Sequence, residues 1–336
     1  MAEKSYSTDV VIIGAGPVGL FAVFECGMLK MKCHVIDSLE EIGGQCTALY
    51  PEKPIYDIPG YPMILGGDLI NRLEQQAAPF APTYHLNQDA RDLAAIDGGY
   101  RVTTSKGITI DCKAVIIAGG AGAFGPNRPP LDNLAAFEGK SVFYMVKRRD
   151  DFAGKKIVIA GGGDSAVDWT LSLADIAQKI YFVHRRDKFR AAPESVERLQ
   201  ALAAQGKVEM VIPYQLKKLH GDNGALTQID VEDTDGNIRA LDADTLLPFF
   251  GLVPQLGPIA NWGLNVELHH IPVNPSTMET ARPGVFVVGD MATYPRKLKL
   301  ILTGFSEAAF AAHAIHPLVF PGQALHFVYS TSKGVP

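Results

Sequence analysis

The sequence predicts an α/β protein with two Rossmann-like domains, each with three layers: a parallel sheet, a smaller second sheet and helices (ββα). First, a chain of 336 residues is long enough for about two domains. Second, the order strand, glycine-rich turn, helix, strand occurs twice, in residues 10–37 and 157–184. Third, both cycles have the same spacing, because Gly14 and Asp37 are 23 positions apart, as are Gly161 and His184.

The first cycle has the features of a dinucleotide-binding turn. The apolar strand Val10–Ile13 runs into Gly14-Ala15-Gly16-Pro17-Val18-Gly19, and a helix and the strand Cys33–Ile36 then lead to Asp37. The first glycine permits a tight turn, the second a close approach of a pyrophosphate, and the third close packing of the helix. Free N–H groups at the helix start face the phosphates, and Asp37 is placed to bind ribose hydroxyls.

The second cycle replaces the acid with basic residues. Its turn is Gly161-Gly162-Gly163-Asp164-Ser165-Ala166, its helix is predicted to reach about Ala177, and its second strand ends in His184-Arg185-Arg186. An acid at this place suits an unmodified ribose, whereas arginine suits a 2′-phosphate. A solvated charge run is the alternative, but the matched spacing favours a phosphate contact and predicts NADP(H) at the second turn.

The remaining pattern predicts strands that form small sheets, and several helices. We expect a helix over residues 67–80 and an amphipathic helix over residues 304–315. Predicted strands cover residues 90–96, 100–104, 108–111, 113–118, 207–216, 225–232, 237–240, 245–250 and 285–288. The last of these strands ends in Gly289-Asp290, and an acid at a strand tip is placed where α/β sheets bind ligands.

Composition excludes several classes of partner. The formal net charge is −5, so there is no global basic field to attract nucleic acid, and no apolar run approaches the length that spans a membrane. The four cysteines, Cys26, Cys33, Cys46 and Cys112, form no CxxC and no ligand cluster. We therefore expect reduced thiols, a cytoplasmic location and no metal site.

These motifs together resemble thioredoxin reductase over nearly the whole chain. The resemblance rests on the two turns, the run His184-Arg-Arg-Asp-Lys-Phe-Arg-Ala191 and the stretch Gly284-Val-Phe-Val-Val-Gly-Asp290. It implies a thioredoxin reductase-like fold. An FAD-binding domain would be formed by residues 1–119 and 247–336, with an NADPH-binding domain, residues 120–246, inserted between them.

One departure from thioredoxin reductase decides the expected function. The place of that family's CxxC is occupied by Tyr144-Met145-Val146-Lys147, so a relay through an enzyme disulfide cannot run. The loop with Gly44-Gln45 and Tyr50, and the tail Tyr329-Ser330-Thr331-Ser332, resemble the bacterial thioredoxin-reductase-like ferredoxin–NADP reductases instead. That resemblance implies a homodimer in which Tyr50 and Tyr329 stack on the flavin. It also implies that FAD is lined by Asp37, Gln45, Tyr50, Ala90, Phe124, Asp290 and Thr331.

The resulting expectation is a flavoenzyme that transfers electrons between NADPH and ferredoxin through FAD. Ferredoxins are usually acidic, so we expect a basic docking patch, with Lys147-Arg148-Arg149 and Arg296-Lys297-Lys299 as candidates, although each could equally be solvated surface charge. Two alternatives stay open. One is an NADPH-dependent reductase of a separate disulfide protein, a quinone or a free flavin, and the other is a redox sensor that binds both dinucleotides without turnover.

Overall fold

The computed structural model describes residues 4–120 and 122–325, with backbone alone at residues 123–126 and 252–255. The chain forms two compact units. The first unit combines Met1–Phe124 with Pro254–Pro336, and the second is Gly125–Val253. Within the described ranges, no helix has both the length and the apolar character needed to cross a membrane.

Strands and helices follow one another along the described chain in this order. The strands are β1 (Ser5–Ser7), β2 (Val10–Ile13), β3 (Cys33–Ile36), β4 (Pro54–Ile55), β5 (Ile64–Leu65), β6 (Thr83–His85), β7 (Ala90–Ile96), β8 (Gly99–Thr104), β9 (Thr109–Cys112), β10 (Ala114–Ile117), β11 (Ala123–Pro126), β12 (Lys156–Ala160), β13 (Lys179–Val183), β14 (Val208–Val211), β15 (Gln215–Asp222), β16 (Ala225–Glu232), β17 (Ile238–Asp242), β18 (Thr245–Pro248), β19 (Leu252–Gln255), β20 (Ile271–Pro272), β21 (Val285–Val287) and β22 (Ala292–Thr293). The α-helices are α1 (Pro17–Met28), α2 (Gln45–Ala48), α3 (Gly66–Ala77), α4 (Asp164–Leu173), α5 (Pro193–Ala204) and α6 (Ile301–Val319).

The first unit is built on a parallel sheet covered on both faces. Its strand order is β21-β10-β2-β3-β6, and alternate side chains of β2 and β10 point to opposite faces. Val10 and Ile12 pack with α1 and α6, whereas Val11 and Ile13 pack with the second sheet, β1-β9-β8-β7. Because both faces are buried, these strands are continuous apolar runs, as parallel strands usually are.

The second unit repeats this plan on a smaller scale. Its parallel sheet has the order β14-β13-β12-β18 and its antiparallel sheet the order β15-β16-β17. Val158 and Val183 of the first sheet share one apolar core with Ile229 and Leu241 of the second. The predicted fold class, two Rossmann-like domains of three layers each, is therefore confirmed.

Several predicted boundaries in the second unit are wrong. The helix after the second turn ends at Leu173, four residues before the predicted end. The single strand predicted over residues 207–216 is two strands, β14 and β15, interrupted at Pro213, which cannot donate a ladder hydrogen bond. The following hairpin turns at Asn223 and Gly224, both at positive φ (54° and 85°), so β15 ends at Asp222, six residues beyond the predicted end of the strand.

Two helices were absent from the sequence predictions. The four residues of α2 are too few to show a helical period. The longer α5 has recognisable start signals, Pro193 in its first turn and Glu194 beside it, and these signals would have sufficed to predict it.

The turn after β2 requires glycine at two of its three positions. Gly14 has φ +109°, and a Cβ there would lie 2.4 Å from the carbonyl oxygen of Ala118. A Cβ on Gly19 would lie 1.9 Å from the carbonyl oxygen of Gly14, so helix α1 is held directly against the turn. At Gly16, by contrast, the nearest atom to a Cβ is the Cα of Gly44, 4.0 Å away.

We predict that Gly19→Ala and Gly16→Ala differ sharply in stability. Gly19→Ala forces a backbone displacement and should lower the free energy of unfolding by about 3 kcal/mol or more. Gly16→Ala adds a methyl group in open space and should cost less than about 1 kcal/mol, the scale of a poorer N-cap. Urea denaturation of the ligand-free proteins measures both values, and equal losses would contradict this explanation of the turn.

Candidate functional site

A cleft of about 510 Å³ lies at the carboxyl ends of the parallel strands in the first unit. Of the residues predicted to hold FAD, the cleft is lined by Gly14, Gly16, Asp37, Gln45, Tyr50, Ala90 and Asp290. Gly19 lies beneath the turn and acts through packing. Tyr329 and Thr331 lie outside the described residues, and the side chain of Phe124 is likewise not described.

The start of α1 forms one end of this cleft and is suited to an anion. Gly16 is the N-cap and Pro17 the first helical residue, and no side chain caps the helix. The first turn contains no acidic residue, so no carboxylate competes for the free N–H groups there. Because these N–H groups and the helix dipole both favour negative charge, the turn can hold a pyrophosphate.

Asp37 is held rigidly at the tip of β3. Its Oδ2 accepts a hydrogen bond from the Ala15 N–H at 2.6 Å, and its Oδ1 accepts one from the Leu39 N–H at 2.8 Å. Burial raises the pKa of Asp37, and the two N–H donors partly oppose that rise. Each carboxylate oxygen keeps a second lone pair, so Asp37 can accept hydrogen bonds from a ribose in the cleft.

Tyr50 and Cys46 lie together on another wall of the cleft, close enough for each side chain to affect the pKa of the other. Burial raises the pKa of Tyr50 well above its usual range, and burial also raises the pKa of Cys46 to about 11. Both groups are therefore protonated at neutral pH. They present ring and thiol surface to a ligand and do not supply an acid–base pair.

A buried ionic network supports the turn that carries Asp290. The carboxylate of Glu307, in α6, is ion-paired with Lys297, and their side chains are only 2% and 6% exposed. Glu307 also accepts hydrogen bonds from the Gly289 N–H at 2.7 Å and from the Tyr294 hydroxyl at 2.6 Å. The network fixes Gly289, and with it Asp290, against α6. No sequence pattern predicts this network, because its four members are brought together by the fold.

The second turn lies in the second unit and has its own geometry. Gly161 has φ +152°, and a Cβ there would lie 2.6 Å from the carbonyl oxygen of Phe249. Gly162 lies under the ring of His184, whereas nothing lies within 4 Å of the place a Cβ would take on Gly163, the N-cap of α4. The buried Ala166 packs in the first turn of α4. The turn therefore leaves backbone N–H groups open at Gly163.

The basic run after β13 folds back over this turn. His184 is half-buried, and its Nε2 lies 3.2 Å from the Lys188 carbonyl oxygen. Burial is the main cause that lowers the pKa of His184, so the ring is neutral at pH 7. Arg185 and Arg186 are exposed. The backbone N–H of Arg190 donates to the Gly162 carbonyl oxygen at 2.7 Å, which ties the end of the basic run to the turn.

A different network occupies the place where thioredoxin reductases carry their CxxC. The Tyr144 hydroxyl donates to Glu138 at 2.6 Å, and Arg128 contacts both oxygens of the same carboxylate. All four cysteines of the chain are free and buried, as the sequence analysis expected. A thiol relay therefore has no cysteine at this place.

Comparisons with known proteins agree with this geometry. Residues 8–309 match the family described as pyridine nucleotide-disulphide oxidoreductase. A ferredoxin–NADP reductase of Rhodospirillum rubrum is 63% identical over 333 residues, which cover 98% of this chain and 96% of the relative. The ferredoxin–NADP reductase of Granulibacter bethesdensis is 62% identical over 330 residues, covering 98% of this chain and 94% of the relative.

Solved structures of thioredoxin reductases share the fold. The enzyme of T. acidophilum superposes with a TM-score of 0.81 at 22% identity, covering 92% of this chain and 98% of that one. The enzyme of Lactococcus lactis gives a TM-score of 0.80 at 24% identity, with 93% and 99% covered. The chain therefore belongs to the pyridine nucleotide-disulphide oxidoreductase family, in the branch formed by its ferredoxin–NADP reductase relatives.

Proposed function

We propose that this protein is a ferredoxin–NADP(+) reductase that transfers electrons between NADPH and ferredoxin through FAD. The observation that carries the proposal is that the chain has two dinucleotide-binding turns, whereas Tyr144-Met145-Val146-Lys147 stands where a thioredoxin reductase carries its CxxC. FAD, when bound, supplies the chemistry: it takes up both electrons of a hydride and releases them singly to an iron–sulfur protein. The relatives of similar length are ferredoxin–NADP reductases, which favours the same acceptor here.

The cleft of the first unit fits FAD. The open approach to Gly16 and the free N–H groups of α1 would hold the pyrophosphate, and Asp37 would hold the ribose. Tyr50 would present its ring to the flavin, and the neighbouring Gln45 and Asp290 would provide polar contacts. The chain's residues thus bind and orient the group. The contacts of Phe124, Tyr329 and Thr331 with FAD stay predictions from the sequence.

The turn of the second unit fits NADP(H). Gly161 and Gly163 would cradle the pyrophosphate at the start of α4, and Ala166 would keep the first turn of that helix close. His184, Arg185 and Arg186 follow β13, where an unmodified ribose would call for an acid. The two exposed guanidinium groups would bind the 2′-phosphate by charge-assisted hydrogen bonds.

Burial and ion pairing leave fewer available basic residues in both predicted docking patches for ferredoxin. Lys297 is buried in the ion pair with Glu307, so its assignment to a surface patch is wrong. Arg149 bonds to the Ser172 carbonyl oxygen and pairs with Asp175. Exposed candidates for contact with an acidic partner are therefore Lys147 and Arg148 in the second unit, and Arg296 and Lys299 in the first.

A cytoplasmic homodimer is part of the same proposal. The four unpaired cysteines suit a reducing compartment. Leu302, Phe310 and Leu318 of α6 are each more than 40% exposed, and large exposed apolar side chains on one helix suit contact with a second copy of the chain.

An electron-transfer assay tests the proposed function. We expect the FAD-loaded protein to reduce cytochrome c slowly with NADPH alone, and at least tenfold faster when a bacterial ferredoxin is added. A parallel assay uses thioredoxin and a disulfide dye in place of ferredoxin and cytochrome c. We expect no turnover in this second assay. Reduction of thioredoxin without ferredoxin stimulation would favour the disulfide alternative, and NADPH oxidation with neither acceptor reduced would contradict the proposal.

The choice of nucleotide is tested at Arg185 and Arg186. Replacing both with alanine removes the charge-assisted contact to the 2′-phosphate, which is worth about 1.5–3 kcal/mol. The KM for NADPH should rise roughly ten- to a hundredfold, with the KM for NADH nearly unchanged, in steady-state assays. Lys188→Ala removes a charge from the same exposed loop and serves as the control. Equal losses with both nucleotides in the double variant would count against the assignment.

A further inference from the structure

One buried polar atom in the cleft has no partner within the protein. Among the described residues, three buried side-chain atoms lack a hydrogen bond: Thr47 Oγ1, Gln88 Oε1 and His316 Nδ1. Of these residues, only Gln88 lines the cleft. Gln88 as a whole is 7% exposed, and a buried carbonyl oxygen without a donor is costly. A ligand in the cleft could therefore supply the hydrogen-bond donor that Oε1 lacks.

The position of Gln88 is fixed by its neighbours. Its N–H donates to the Asp37 carbonyl oxygen at 3.0 Å, so its backbone is pinned beside the acid at the tip of β3. Its Nε2 donates to the Leu86 carbonyl oxygen at 3.4 Å, which leaves Oε1 as the free end of the amide. The N–H of the preceding Asn87 donates to the Leu39 carbonyl oxygen at 2.8 Å and holds the loop against the same strand tip.

The order of the strands indicates which part of a dinucleotide reaches Gln88. Strands β2, β3 and β6 lie side by side in that order and run parallel. The glycine turn follows β2, Asp37 follows β3, and Gln88 comes three residues after the end of β6. A dinucleotide with its pyrophosphate at the turn and its ribose at Asp37 therefore extends its base toward Gln88.

We propose that Gln88 recognises the adenine ring of FAD, with Oε1 accepting a hydrogen bond from the exocyclic amino group. A glutamine carbonyl oxygen can accept from the exocyclic amino group of adenine, which is one of the two contacts that glutamine makes to adenine in nucleic acids. Ala90, the residue predicted at this end of the cleft, has no polar side chain for the task. The proposal rests on FAD being the ligand of the first unit.

The test compares FAD with its hypoxanthine analogue, in which a carbonyl oxygen replaces the amino group. Two acceptors would then face each other, so the native apoprotein should bind the analogue about tenfold more weakly than FAD. In Gln88→Leu the ratio of the dissociation constant of the analogue to that of FAD should fall to about one. Fluorescence titration of the apoprotein with each flavin measures the dissociation constants, and thermal melting of the apoprotein checks that the variant is folded. Gln88→Met is a second variant of similar length.

Gln45→Leu is the matched control, because it makes the same chemical change in the same cleft. Gln45 lies near Gly120, beyond the end of β10, on the other side of β2 from β3 and β6. The Gln45→Leu substitution should weaken the binding of FAD and of the analogue equally, so the tenfold ratio of their dissociation constants should stay the same. A ratio in Gln88→Leu and Gln88→Met that equals the native one overturns the assignment to Gln88. If the native protein does not bind FAD at all, both the proposed function and this inference are contradicted.

Discussion

The close contact between Gly14, Gly19 and the end of β10 is the constraint on which the first unit depends. A positive φ at Gly14 reverses the chain directly against the Ala118 carbonyl oxygen, and the missing side chain at Gly19 lets α1 rest on the turn itself. This contact aims the uncapped start of α1 into the cleft. Because β2 and β3 are paired in register, Asp37 lies at a fixed distance along the sheet from the start of α1.

The second unit forms an equivalent glycine turn with different side chains around it. Gly161 turns against the Phe249 carbonyl oxygen, and His184 covers Gly162, the counterpart of the buried Ala15 in the first turn. The strand that ends in Asp37 in one unit ends in basic residues in the other. Under the proposed function, one scaffold would present an acceptor to a ribose in the first unit and positive charge to a phosphate in the second.

Local signals allowed most of the fold to be predicted from the sequence, and contacts between distant residues account for what was missed. Strands β2, β3, β7 and β16 begin and end where their apolar patterns indicated, because turns bound each of them closely. The ion pair of Glu307 with Lys297 and the unpaired oxygen of Gln88 depend on the packing of separate elements. No periodicity or spacing reports such contacts, so Lys297 was assigned to the surface.

We propose that the flavin is the only redox centre of this protein. The four cysteines are buried and unpaired, and the Tyr144 network occupies the place of the family's disulfide. Anaerobic titration of the FAD-loaded protein with dithionite, followed through the flavin absorption band, tests the claim most directly. Full reduction should consume two electrons per bound FAD. Uptake of four electrons per FAD would reveal a reducible disulfide and contradict the account.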